Sequence, residues 1–186
     1  MQLIPYLKTA FGLTDDLLVY LEQVSVTKTY EKKAVILDAG HYSQNVFFIE
    51  QGLVRMFYYK LDKDITHYFF SEQTFAAGTE SVFYHKKSMY GIEALEPSTI
   101  TLIPFDAISK LASRSIAMNR LIQTILLQAL IGFSTRLQSL QFETAQERYQ
   151  KLMEQHPNIL LRAPLGDIAS YLGISQQTLS VIRAQR

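Results

Sequence analysis

The 186-residue sequence contains no cysteine. That excludes disulfides, thiolate zinc sites, a cysteine nucleophile and cysteine-ligated iron–sulfur clusters. An excess of either charge is also missing: 18 Lys and Arg face 17 Asp and Glu, a net charge of +1. No global field advertises a polyanionic partner, so any nucleic-acid surface has to be local. Residues 1–9 lack the basic start and long apolar run of a signal peptide. The most apolar stretch, residues 121–133, is interrupted by Gln123, Thr124 and Gln128 and reads as too short and too polar to cross a bilayer. The expectation is a cytoplasmic protein with no membrane partner. No P-loop, Gly-rich dinucleotide motif or Ser-His-Asp pattern is visible. His41, His67, His85 and His156 stand isolated, so no metal set is expected.

What is present is apolar material for a core: 48% of residues are hydrophobic and 19% charged. The length suits one domain of ordinary size plus a small one. Residues 1–24 read as helical, with Thr14 as a cap, Asp15 and Asp16 in the positive first turn, and Leu17, Leu18 and Leu21 on one face. Residues 25–104 read as strands, because Val, Ile, Tyr and Phe dominate and turn signals recur at Asp38-Ala39-Gly40, Gln51-Gly52, residues 61–64 and Glu96-Pro97-Ser98. Many short strands with regular turns indicate a sandwich, jelly roll or barrel.

Between residues 106 and 155 there is no proline, and the only glycine is Gly132. One long helix is predicted over 106–142. Met118, Ile122, Ile125, Ala129 and Gly132 recur at alternating steps of four and three, and Leu126, Phe133, Leu137 and Leu140 form a second row. Two apolar stripes need two surfaces: one the β domain, the other a second subunit. Small Ala129 and Gly132 place the expected dimer contact on the first row; a single amphipathic helix within a monomer is the alternative. A second helix follows, ending at His156-Pro157.

The segment "LGDIASYLGISQQTLSVIR", residues 165–183, reads as two short helices around Gly173. Leu165, Ile168, Ala169 and Leu172 line one face, Gly173 permits the positive φ of a sharp turn, and Ser175 caps the second helix. Leu179 and Ile182 point back to the core, leaving Gln176, Gln177, Thr178, Ser180 and Arg183 outward. Glutamine pairs bidentately with adenine, and Ser or Thr serves several bases, so this face suits a recognition helix in a major groove. From Ala145 onward Arg148, Lys151, Arg162, Arg183 and Arg186 outnumber Glu147, Glu154 and Asp167, a weakly basic balance.

The order of parts resembles the Crp/Fnr superfamily of bacterial transcription regulators. "ILDAGHYSQNVFFIEQGLVRMFY", residues 36–58, is similar to the family's early β-roll signature, and "IEALEPSTI", residues 92–100, to the strand and turn after its ligand cassette. "IASYLGISQQTLSVIR" resembles its DNA-reading hairpin. The resemblance implies an α+β fold: an N-terminal antiparallel β-roll of the cyclic-nucleotide-binding kind (1–105), a dimerisation helix (106–142) and a C-terminal helix-turn-helix (143–186). It implies a non-enzymatic homodimer on a two-fold symmetric site in double-stranded DNA, with half-sites roughly 34 Å apart. RNA polymerase is a further candidate partner.

The sequence departs from the family at its ligand cassette. Cyclic-nucleotide-binding members place a glutamate on the ribose and an arginine on the cyclic phosphate. Here the expected pocket is Gly78, Glu80, Ser81, Ser88 and Tyr90, and the arginine position falls on Ser88. Without a guanidinium nothing clamps the phosphate, unless Lys86 or Lys87 stands in. Cyclic AMP is therefore not expected to bind, no cofactor is expected, and another small effector is the open alternative. Phe69, Phe70, Phe83, Tyr84 and Tyr90 could line such a pocket or simply fill the core. Val181 replaces a common later arginine, and no β-wing follows by Arg186, which leaves a ligand-binding roll without DNA activity as a rival reading. A cupin-like enzyme is a weaker one, because Phe47 and Phe48 occupy the strand where metal-binding histidines would lie.

Overall fold

The computed structural model describes residues 1–61 and 63–184. Asp62, inside the turn expected at 61–64, and Gln185 and Arg186 lie outside the described residues. The N-terminal helices are α1 (Leu3–Phe11) and α2 (Asp15–Val24). Eight strands follow: β1 (Val26–Tyr30), β2 (Val35–Leu37), β3 (Asn45–Gln51), β4 (Val54–Lys60), β5 (Lys63–Phe70), β6 (Phe75–Ala76), β7 (Gly91–Ala94) and β8 (Ser98–Pro104), with helix α3 (Thr79–Tyr84) between β6 and β7. The strands pair antiparallel into two four-stranded sheets, ordered β1-β8-β3-β6 and β2-β7-β4-β5.

Period-two alternation decides which side chain goes where. On β3, Phe47 and Ile49 point between the sheets, where they join Leu37, Val54, Met56, Ile92 and Ile100. Phe48, one residue on, faces the other way into a cluster with Leu7, Leu21 and Ile103. This strand is buried on both faces, which explains why it is a continuous apolar run. Gly52 turns β3 into β4 at φ +104°, a backbone that disfavours side chains, and a Cβ there would collide with Ser98.

The single helix expected from residue 106 is two. Helix α4 (Phe105–Ala112) ends, and α5 (Ile116–Phe142) begins after it. The Ser115 hydroxyl accepts the Met118 N–H at 3.3 Å, and the Asn119 amide donates to the Ala112 carbonyl. Two polar side chains thus satisfy the helix ends where no proline or glycine announces a break. Over its 27 residues α5 is long and apolar enough to cross a bilayer by length and composition alone, a wider span than residues 121–133 suggested. Its Met118 and Leu121 are instead buried against the roll.

Helix α6 (Ala145–Gln155) starts with a capping box between Thr144 and Glu147. A single turn, α7 (Ile159–Arg162), leads to α8 (Leu165–Leu172) and α9 (Gln176–Ala184). Gly173 joins the last two in the left-handed region at φ 69°. Tyr149, Leu152, Ile168, Leu172, Leu179 and Ile182 form their shared core, closed on one side by Leu53, Phe69 and Leu95 of the roll.

Candidate functional site

The α8–α9 hairpin sorts its side chains sharply. Ile168, Ala169, Leu172, Leu179 and Ile182 are buried, whereas Leu165 lies at the exposed margin. Gln176, Gln177, Thr178, Ser180 and Arg183 are all exposed along α9. Ser175 accepts the Thr178 N–H at 3.0 Å, and its hydroxyl also meets that of Thr178 at 2.9 Å. The Ser180 hydroxyl donates back to the Gln176 carbonyl at 3.0 Å. The Gln176 amide lies against Gly166 of α8, where a Cβ would come within 2.6 Å of its nitrogen, so among the described residues Gln177 and Arg183 are the outward polar groups of α9 without a local bond or contact.

Ion pairs fasten this hairpin to the roll. Arg55 on β4, with 8% of its side chain exposed, reaches Glu93 at 2.7 Å, Asp64, and Asp167 of α8 at 2.9 Å. Burial disfavours its charge, but Asp167, Asp64 and Glu93 outweigh burial and hold the guanidinium protonated more firmly than usual. One cation serves three carboxylates, so Asp167 is short of compensation. Burial, with Asp64 and Glu93 nearby, raises its pKa despite Arg55. Arg162, just ahead of α8, binds Glu72 at 2.7 Å and Glu96 at 2.6 Å. Burial of Glu72 is overcome by the Arg162 hydrogen bond, and its carboxyl is held below the usual range. The Ser170 hydroxyl accepts the Thr66 N–H at 3.1 Å.

These pairings correct the basic balance expected from residue 145 onward. Arg162 is spent on Glu72 and Glu96, and Lys151 on Glu143. Arg148 donates to the carbonyls of Leu172 at 2.9 Å and Glu143 at 2.5 Å. Arg183 remains as the outward cation of α9 among the described residues.

The expected ligand pocket divides. Glu80 and Tyr90 line an apolar cavity of about 490 Å³ between the roll and α5. Gly78, Ser81 and Ser88 are buried scaffold instead. Ser81 accepts the Ser43 N–H at 2.7 Å, and Ser88 donates to the Tyr90 carbonyl at 2.8 Å. A Cβ on Gly78 would sit 3.0 Å from Ser88, so no long cationic side chain occupies this corner. Lys86 and Lys87 are exposed and do not line the cavity. Of the five aromatics, Phe70, Phe83 and Tyr90 line it. Phe69 packs on Tyr171 of α8 with ring centres 5.1 Å apart, and Tyr84 is exposed. Among the described residues no group of three His, Asp or Glu is placed to hold a metal.

Along α5 the row Met118, Ile122, Ile125, Ala129 and Gly132 is not one surface. Met118 is 2% exposed in the roll-side cluster, and Ile122 and Ile125 pack against that cluster, so these three face the protomer's own core. Ala129 is exposed, and Gly132 lies close to the Tyr68 hydroxyl. Leu127, Leu130 and Ile131 are exposed away from the cavity, whereas Leu126, Phe133, Leu137 and Leu140 are partly exposed and line it.

Two groups at this site escaped the sequence reading. Arg136 lines the cavity, and its guanidinium carbon lies 3.9 Å from the centre of the Tyr171 ring. Its signal was available: it is the only charged residue between 121 and 142. His67 lies between the rings of Tyr90, at 4.7 Å, and Phe133, at 5.6 Å. Burial, then Arg136, lowers its pKa and keeps it neutral. His67 is the residue left unpaired where β5 shifts register against β4, between the Met56–Tyr68 and Phe57–Thr66 pairs, so strand alternation does not announce its position.

The described residues form a two-sheet antiparallel roll followed by a long helix and a docked helical hairpin. A family profile for the cyclic nucleotide-binding domain matches residues 27–115. Among solved structures the chain is similar to FixK2 from Bradyrhizobium japonicum, at TM-score 0.77 and 18% identity over 87% of this chain and 84% of that one. It is similar to a variant of CooA from Carboxydothermus hydrogenoformans, at TM-score 0.71 and 19% identity over 99% and 84%. A transcriptional regulator of the Crp/Fnr family from Eubacterium rectale gives TM-score 0.75 at 13% identity over 96% and 85%. No curated protein matches. Residues 27–115 thus match the cyclic nucleotide-binding domain profile, and the described residues share the fold of these solved structures.

Proposed function

We propose that the chain is a DNA-binding transcription regulator of Crp/Fnr type, not an enzyme, that works in the cytoplasm as a homodimer. Residues 1–105 form its sensor-like roll, 106–142 its dimerising helices and 143–186 its helix-turn-helix. The observation that carries this reading is the outward row of α9. Gln176, Gln177, Thr178, Ser180 and Arg183 are exposed on a helix whose other face is buried. Glutamine amides and an arginine supply the bidentate donors that base edges require. Support for the dimer comes from Leu127, Leu130 and Ile131, which leave an apolar strip of α5 in water. A second copy packed along that strip sets two α9 helices on one side of a duplex. RNA polymerase is then a candidate partner for the DNA-bound dimer.

Cyclic AMP is not the effector in this reading, because buried Ser88 stands where a phosphate-binding arginine is needed. Calorimetry with cyclic AMP gives no saturable heat at millimolar nucleotide; micromolar binding contradicts the assignment.

The DNA test is an electrophoretic shift against a random-sequence duplex pool at low salt. Wild type shifts a subset of the pool that is enriched on reselection, and the Gln176→Ala, Gln177→Ala double variant loses that enrichment. A folded dimer that selects nothing favours the second reading, a ligand-binding roll without DNA activity. The capture of Arg148, Lys151 and Arg162 inside the chain is the observation on that side.

A further inference from the structure

Arg136 is half-buried and lines the cavity between the roll and α5. Other enclosed arginines are paired: Arg55 with three carboxylates, Arg162 with two, and Arg148 with two carbonyls. Arg136 has no oxygen acceptor among the described residues, only the Tyr171 ring under one face. A guanidinium withdrawn from water without an acceptor is costly, and an anion brought to it gains a charge-assisted bidentate bond. Burial, with Arg148 nearby, already depresses its pKa.

The cavity around it is apolar. Phe70, Phe75, Val82, Ile103 and Phe133 form much of its wall, and its volume of about 490 Å³ suits a small organic molecule. Glu80 lines the same space and keeps one buried oxygen without a partner. That carboxylate opposes a polyanion, and the predominantly apolar wall opposes a sugar.

We infer that this cavity binds a small apolar monocarboxylate, its carboxylate on Arg136 and its hydrocarbon body between the roll and α5. The site rests on the regulator reading only in its consequence. The Arg136 guanidinium also lies 3.9 Å from the ring centre of Tyr171 of α8, so a carboxylate on it acts on a contact between α5 and the hairpin.

Calorimetric titration of the full-length protein with decanoate, decanol and decyltrimethylammonium, all below their micelle thresholds, tests the charge requirement. Decanoate binds wild type at least about ten-fold more tightly than decanol, and the ammonium does not bind. Arg136→Gln removes the preference for decanoate over decanol and leaves decanol binding unchanged; Arg136→Lys keeps part of the preference. Equal affinities in wild type, an unaltered preference in Arg136→Gln, or no binding of any probe because a second α5 fills the cavity would each overturn the inference. If Arg136→Gln fails to fold, the wild-type selectivity and the lysine variant still decide. DNA affinity is measured separately with and without decanoate. Selective decanoate binding by a protein that selects no DNA refutes the regulator reading alone, and DNA selection without decanoate binding refutes the site alone.

Discussion

Arg55 concentrates more of the chain's electrostatics than any other residue. Its guanidinium joins β4, β5, β7 and α8 through Asp64, Glu93 and Asp167. Replacing it by methionine keeps the volume and removes the charge, leaving Glu93 and Asp167 enclosed and unpaired. Breaking a buried pair from one side costs about 3–5 kcal/mol, so Arg55→Met should lower the urea midpoint by that equivalent; a loss under about 1 kcal/mol contradicts the arrangement. Asp167 gives a pH signature. Its folded-state pKa lies above the ordinary 3.8, so the folded state holds the proton longer than the unfolded chain does. The contribution of this group is therefore full at pH below 3.8 and is lost as pH rises through the folded value. Wild type should lose stability relative to Asp167→Asn as pH rises through that window. A gap that moves in wild type's favour on raising the pH contradicts the shortage of cations around Arg55.

At the scale of the element, α5 is the chain's divided surface. Its inward row holds Met118 and Leu121 against the roll, and its outward row leaves Leu130 64% and Ile131 65% exposed. Charges introduced outward should separate two copies without touching the protomer's core. Leu130→Glu with Ile131→Glu is expected to sediment as a folded monomer where wild type is a dimer; a variant that remains dimeric removes α5 from the interface. The sequence made much of this legible and some of it not. The strands at 45–60 follow from alternation and the Gly52 turn, and the hairpin from Gly173, because these signals are local. The break between α4 and α5 was hidden because serine and asparagine side chains end and restart the helices without a proline or glycine. The face of α5 that meets the roll was misassigned because periodicity gives a stripe's spacing, not its partner. Gly78, Ser81 and Ser88 pointed to a pocket by position, yet their hydroxyls and small size serve the loop, and the arginine that lines the cavity, Arg136, comes from α5.

On the scale of the whole molecule, the distribution of charge sets what the proposed DNA binding would look like. Arg148 of α6 and Arg162 of α7 are partly buried and paired within the protein, exposed Lys151 pairs with Glu143, and Arg183 is left on the outward face of α9. A dimer then neutralises few phosphates, so log K should fall with log salt at a slope shallower than about −4. A steep slope would mean that Arg162 or Lys151 leaves its carboxylates on binding. The account's central claim is that two copies of α9, paired through α5, read base edges. A hydroxyl-radical footprint of wild type on a duplex enriched from the random pool tests it most directly. The predicted result is two protected segments on one face of the DNA, centred roughly 34 Å apart and both erased by Gln177→Ala. A single protected segment, protection independent of sequence, or a footprint untouched by that substitution would contradict it.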